Sequence, residues 1–328
     1  MPSSRPNQLQ PYLVPTQSAV AANAVRFIDL FCGIGGFHQA ASSLGMHCVF
    51  ASDIDEDCRL AYVRNYGIEP HGDIAGVAAD LIPDHDVLCA GFPCQPFSII
   101  GDRAGFADAR GTLFFEIERI IQAKKPPIVV LENVRQLVSH DGGRTLTRIL
   151  ASLRDLGYWA DYKILNALKF GLPHKRERVI IVALREEIDS FPWPQIALPL
   201  RPLADILEAK PAEKHYVSDR IREARLARHS SKVKPSIWHE NKAGNVSSHP
   251  FSCALRAGAS YNYLLVNGER RLTPREMLRL QGFPDTFEIV CTDNQTRKQA
   301  GNSVPVPMVR AILERALNVA CETKRKSA

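Results

Sequence analysis

"VRFIDLFCGIGG", residues 25–36, decides the fold. Arg26–Leu30 is a short apolar run of strand length, and it empties into glycines at 33, 35 and 36. A helix is expected next, from Phe37 to Leu44. Strand, glycine turn and helix make the first half of a βαβ unit, whose turn lets backbone amides approach a nucleotide. The spacing is not GxGxxG, so a nucleoside without a pyrophosphate suits the turn better than a dinucleotide.

"HCVFASDID" (47–55), "DVLCAGF" (86–92), "PIVVLENV" (127–134) and "RVIIVAL" (178–184) read as further buried strands. "GTLFFEIERIIQAK" (111–124) and "TLTRILASLRDLGY" (145–158) are helical patterns between them. Alternating strands and helices predict an α/β fold with a doubly wound, mostly parallel sheet. After Leu184 the texture changes. The proline-rich "SFPWPQIALPLRPLADI" (190–206) suits a connection between domains. The stretch to about Gly268 lacks clear periodicity. Order resumes at Arg271, where Thr273-Pro274 has the chemistry of a helix cap and first residue. "PVPMVRAILERALNVA" (305–320) is an amphipathic helix expected to pack back on the first domain.

The chain has 328 residues, enough for two domains or one with an insertion. Hydrophobic residues at 45% and charged residues at 23% are ordinary for a globular protein. No apolar run is long enough to span a membrane, and residues 1–24 lack a secretory pattern, so they read as a flexible extension. The 8 cysteines form no CxxC pair, which speaks against a zinc site or a disulfide framework and for a reducing cytoplasm. The net charge is +6. Seven basic residues (Arg222, Arg225, Arg228, Lys232, Lys234, Lys242, Arg256) against Glu223 and Glu240 carry most of it in one segment. That concentration points to a polyanionic partner.

Candidate site residues cluster at strand ends. Asp53 ends the second strand, placed for a ribose hydroxyl, and Asp73 in "GDI" offers another carboxylate. "GFPCQPFS" (91–98) flanks Cys94 with prolines, which fix φ and remove ladder donors. A free cysteine is most often a small buried hydrophobe. Here it follows a strand end, where α/β enzymes hold their ligands. Glu132 ends the neighbouring strand, and Arg176 and Arg178 in "HKRER" precede another. Nucleophile, carboxyl and guanidinium could converge on one pocket.

In order along the chain, "DLFCGIGGF", "SDID", "GDI", "GFPCQPFS", "GFADARGTLFFEI", "LENV", "HKRERVIIV", "RLTPREMLRLQGFPD" and "QAGNSVPVPMV" resemble the DNA (cytosine-5)-methyltransferases of bacterial restriction–modification systems. The pieces span residues 26–190 and 268–311. The resemblance implies the S-adenosylmethionine-dependent methyltransferase fold with a second, smaller target-recognition domain. It implies a catalytic domain at 25–190 plus 299–328, recognition at 191–270 and a connecting segment at 271–298. The substrate would be double-stranded DNA and the activity methylation of C5 of a flipped cytosine. Cys94 would add to C6, Glu132 would engage N3, and Arg178 would face O2 with Arg176 in support. Phe31, Gly33 and Gly35 would surround the methionine part of S-adenosylmethionine. Asp53 would bind its ribose, Ile54, Asp73, Ile74 and Leu113 its adenine, and Asn302 and Ser303 its amino-acid end. No metal is implied. The protein would be a cytoplasmic monomer at the nucleoid, with a restriction endonuclease as functional partner. Two positions depart from the family: Asp53 stands where glutamate is frequent, and His174 where glutamine is usual. A nicotinamide-dependent oxidoreductase, an inactive DNA-binding relative and an RNA methyltransferase are the competing readings.

Overall fold

The computed structural model describes residues 24–93, 113–195 and 197–327. Cys94 and all but the last residue of the expected N-terminal extension lie outside them. The elements up to Leu184 are β1 (Arg26–Leu30), α1 (Gly36–Ser42), β2 (His47–Ser52), α2 (Glu56–Tyr66), β3 (Val87–Gly91), α3 (Leu113–Lys124), β4 (Ile128–Val134), α4 (Arg144–Asp155), β5 (Trp159–Asn166), β6 (His174–Lys175) and β7 (Glu177–Leu184). Then follow α5 (Asp219–Leu226), β8 (Ile237–Glu240), β9 (Val246–His249), β10 (Ser252–Cys253), β11 (Leu264–Val266), α6 (Pro274–Gln281), α7 (Asp293–Asn302) and α8 (Val306–Ser327).

Six strands form one sheet in the order β2-β1-β3-β4-β7-β5. β2, β1, β3 and β4 run parallel, and β7 lies antiparallel to both β4 and β5. β7 therefore runs against the other five, because the chain returns from β5 without a crossover helix. β5 is an addition to the five strands read from sequence. Its burial does not alternate, and it sits at the sheet edge.

The helices cover both faces, and the strands alternate between two cores. Val87 and Cys89 of β3, Ile128 and Val130 of β4, and Ile180, Val182 and Leu184 of β7 join the core that holds α1, α2 and α8 residues. Their neighbours Leu88, Ala90, Val129, Leu131, Val179, Ile181 and Ala183 join the core under α3 and α4. This period of two fixes where the polar strand-end side chains point.

Between β7 and α6 the chain builds a three-stranded antiparallel sheet, β11-β8-β9, and β10 pairs with β6 of the larger unit. The expected start of α6 is a full capping box: the Thr273 side chain accepts from Glu276 N, and the Glu276 carboxylate accepts from Thr273 N. α8 returns to pack against α1, as its amphipathic pattern requires. No helix among the described residues is long and apolar enough to cross a membrane.

Candidate active site

The parallel strands end at one edge, and the sheet order changes direction between β1 and β3, where α/β proteins open a ligand crevice. At the end of β1 the backbone turns through positive φ at Phe31 (54°), Gly33 (53°) and Gly35 (78°). A Cβ on Gly35 would lie 2.2 Å from Cε2 of Tyr66. The Tyr66 hydroxyl instead donates toward the Ile34 and Gly35 carbonyls at 3.1 and 3.0 Å, bracing the turn from beneath. A Cβ on Gly36 would meet Ser303 Oγ at 2.8 Å and Val304 Cγ2 at 2.6 Å. Glycine thus allows the Ser303–Val304 loop to close on the turn.

Of the other cofactor candidates, Asp53 and Ser303 contact the glycine turn. Asp53 accepts from Gly33 N at 2.7 Å and from Asp55 N at 2.8 Å, and burial raises its carboxyl above the ordinary range. Ile54 leaves 73% of its surface in solvent at the end of β2, unusual for so large an apolar side chain. Asp73 is exposed and accepts from Ala75 N at 3.0 Å. The Ile74 side chain is buried in the core beneath α3, and its carbonyl accepts from Arg119 at 3.2 Å. Leu113 is half-buried at the start of α3, and Asn302 is exposed at the end of α7. Ser303 Oγ is buried with no hydrogen-bond partner among the described residues. An exposed isoleucine, a half-buried carboxylate, a glycine turn and an unpartnered hydroxyl fit a ligand with a flat ring, a diol and a polar tail.

Glu132 is next. Val130 and Ile180 point into the α1/α8 core, so by alternation Glu132 on β4 and Arg178 on β7 point to that same face. The antiparallel register sets Glu132 opposite Ile180 and Val134 opposite Arg178, making Glu132 and Arg178 diagonal neighbours. Their side chains form an ion pair at 2.7 Å and are 8% and 13% exposed. Burial raises the Glu132 carboxyl above its usual value, while Arg178, and then Arg176, pull it back. The site therefore holds a carboxyl that keeps its proton to a higher pH than a solvated one does.

Glu132 also pairs in register with Gly91, the last residue of β3. Cys94 itself lies outside the described residues, but the entry to its loop is defined. Phe92 is buried against Phe114, with ring centroids 6.0 Å apart. The Asn133 amide donates to the Phe92 carbonyl at 2.8 Å, and Asn133 Oδ1 accepts from Val134 N at 2.8 Å. Asn133 went unremarked in the sequence; its place beside Glu132 in "LENV" was the available signal.

Arg176 sits apart from the Glu132–Arg178 contact. It is fully buried, and its guanidinium donates to the carbonyls of Leu255, Gly301 and Ser303 at 3.2, 3.0 and 2.5 Å. Arg225 of the basic segment is buried and pairs with Glu240 at 2.5 Å, and the exposed Arg228 pairs with the same carboxylate at 2.8 Å. Lys232, Lys234, Lys242 and Arg256 are exposed. Between the small sheet and α7, three guanidiniums alternate with two rings. Arg256 lies over Tyr263 (4.6 Å), Arg297 over Tyr261 (4.4 Å), and Arg271 near Tyr261 (5.8 Å). They line a cavity of about 180 Å³.

The profile of the C-5 cytosine-specific DNA methylases matches residues 25–318. The chain is 52% identical over 289 residues to the Type II methyltransferase M.NgoBI of Neisseria gonorrhoeae, covering 87% of this chain and 90% of that protein. It is 51% identical over 294 residues to the Type II methyltransferase M.HaeII of Haemophilus aegyptius, covering 89% and 92%. With M.HhaI of Haemophilus parahaemolyticus the identity is 38% over 303 residues, covering 88% and 93%. Among solved structures, the S. pombe Dnmt2 methyltransferase superimposes with a TM-score of 0.70 at 22% identity, covering 90% of this chain and 98% of that one. That likeness concerns the fold.

Proposed function

The chain belongs to the C-5 cytosine-specific DNA methylases, and from that premise we propose how its own residues carry the reaction. It transfers a methyl group to C5 of cytosine in DNA as the modification enzyme of a restriction–modification system. S-adenosylmethionine supplies the methyl group. The observation that carries our assignment is the buried Glu132–Arg178 pair at 2.7 Å, one strand from the mouth of the Cys94 loop.

In our reading the cytosine leaves the duplex stack to reach these side chains. The Cys94 thiolate adds to C6, and the electron pair of the C5–C6 bond moves toward C5, where the methyl group is received. Departure of the C5 proton then drives out the thiolate and restores the ring. A nucleophile must sit within about 3–3.5 Å of its target, and prolines, whose rings fix φ, stand at 93 and 96 on either side of Cys94 in the sequence. Glu132, with its raised pKa, gives N3 a proton or a strong hydrogen bond as the adduct forms. Arg178 holds Glu132 in place and faces O2. Arg176 adds its charge to that of Arg178 at Glu132 and holds the backbone around Leu255, Gly301 and Ser303.

For the methyl donor, Phe31, Gly33 and Gly35 would border the methionine portion. Asp53 would take the ribose, with Ile54 and Leu113 on the adenine faces and Asp73 and Ile74 at its edge. Asn302 and the unpartnered Ser303 hydroxyl would hold the amino-acid end. Residues 191–270 would read the DNA, supported by their separate small sheet and exposed cations, with 271–298 joining them to a catalytic unit of 25–190 plus 299–328. The protein would work as a monomer in the cytoplasm, at the nucleoid, and a partner nuclease would cut the sites it leaves unmethylated.

The test is transfer of label from tritiated S-adenosylmethionine to duplex DNA, to tRNA and to a blank without nucleic acid. Label in duplex DNA alone is expected. Label confined to tRNA would overturn the assignment.

A further inference from the structure

We propose that His174 is a positioning residue: a buried two-sided connector that, with Arg176, registers the Leu255–Arg256 segment of the recognition unit against the cofactor end of α7. The proposal rests on the reading of residues 191–270 as the recognition unit.

His174 is fully buried, and each ring nitrogen meets backbone from a different element. Nε2 accepts from Leu255 N at 3.1 Å. Nδ1 lies 3.2 Å from the carbonyl of Leu280, at the end of α6. A backbone N–H only donates and a carbonyl only accepts, so these partners fix the tautomer: the proton is on Nδ1 and the lone pair on Nε2. A neutral ring is the only form that satisfies both. Burial, and then the charges of Arg176 and Arg178, hold the pKa well below its usual value, in keeping with that neutral form.

Two residues on, Arg176 grips the other side of the same peptide segment through the Leu255 carbonyl. Its remaining bonds run to the Gly301 and Ser303 carbonyls. Leu255 thus has its N–H held by His174 and its C=O held by Arg176. The next residues are equally confined. A Cβ on Gly301 would stand 2.7 Å from Ala257 N, so α7 touches this segment backbone to backbone. Below, β6 pairs with β10 through His174–Ser252 and Lys175–Cys253. The residue carried at the end of this clamp is Arg256, exposed, with its guanidinium over Tyr263. A cation at the DNA-facing unit is therefore set in register with Ser303, a candidate cofactor contact, through buried polar bonds. A histidine serving only as core would have no need to bond both α6 and the Leu255 segment.

The role needs one donor and one acceptor on a short stem, which glutamine also supplies and leucine does not. His174→Gln and His174→Leu should be compared with the wild type by kcat and KM on DNA, and by discrimination between the mapped site and a one-base variant. S-adenosylmethionine affinity and melting temperature complete the set. We expect the glutamine variant to stay within about twofold on every kinetic readout. The leucine variant should lose about tenfold in discrimination and raise KM for DNA, with cofactor affinity little changed, because two backbone groups lose their partners. A folded glutamine variant as impaired as the leucine one would overturn the proposal. So would a folded leucine variant with wild-type discrimination. Should leucine prevent folding, the glutamine result decides alone. Exchange of residues 191–270 with those of a relative of different specificity tests the underlying reading separately. An active chimera with unmoved preference would remove that reading, whatever His174 does.

Discussion

Replacing Arg178 with methionine strands a carboxyl group inside the protein. The Glu132 side chain is 8% exposed and Arg178 lies 2.7 Å from it, so no solvent replaces the lost guanidinium. Breaking a buried pair from one side costs about 3–5 kcal/mol, a large share of the roughly 5–15 kcal/mol that holds a domain together. Glu132 can escape part of this by taking up a proton, so the loss depends on pH. Burial already raises its pKa, and Arg178 is the larger of the two charges opposing that rise. Without Arg178 the folded-state pKa climbs further while the unfolded value stays put. The folded protein then binds more protons than the unfolded one. Stability is intact below the unfolded pKa and falls by about 1.4 kcal/mol per pH unit until the folded pKa is passed. The gap between variant and wild type should be narrow at about pH 5 and wide at about pH 8. Adding Glu132→Gln removes the stranded charge and should recover most of the difference. Urea unfolding of the four proteins of this cycle at both pH values measures the coupling. A gap that ignores pH, with additive single effects, would mean that Arg178 does not hold the Glu132 charge.

Three further outcomes follow from particular contacts. Gly35→Ala puts a methyl group 2.2 Å from the Tyr66 ring at a φ of 78°, and should cost about 2–5 kcal/mol in denaturant unfolding and weaken S-adenosylmethionine binding by calorimetry. Asn133→Ala releases the Phe92 carbonyl at the start of the Cys94 loop; about 1 kcal/mol of stability should go, and kcat should fall while cofactor affinity holds. Lys242→Gln, at an exposed lysine between β8 and β9, should weaken binding to all duplexes alike and lower the salt slope by about one unit in titrations at several salt concentrations.

Much of the central sheet was legible because buried parallel strands are short apolar runs and helices between them keep a helical period. Glu132 and Asp53 could be placed at one edge from strand ends alone. β5 was not legible, since "WADYKILN" mixes exposed and buried positions as an edge strand does. Nor was the reversal of β7, which depends on how the chain returns rather than on the strand's own composition. The Glu132–Arg178 contact needed the antiparallel register, which no local pattern encodes. Arg176 shows the same limit. Its partners come from residues 255, 301 and 303, so only the assembled structure shows a guanidinium held by carbonyls. The basic segment looked uniformly like a polyanion face, yet Arg225 is buried against Glu240, leaving the exposed lysines as the plainer DNA candidates.

Covalent attack by Cys94 is tested with duplex DNA that carries 5-fluorocytosine at the mapped target position. Fluorine at C5 cannot leave as a proton does, so the cycle should stop with the protein joined to the base. Incubation with S-adenosylmethionine followed by denaturing electrophoresis and peptide mass spectrometry reads the product. A denaturation-resistant complex is expected whose modified peptide carries the base on Cys94, absent in Cys94→Ala and formed far more slowly in Glu132→Gln. A wild-type protein that methylates ordinary duplex DNA yet is not trapped, or a Cys94→Ala protein that is, would contradict covalent attack by Cys94.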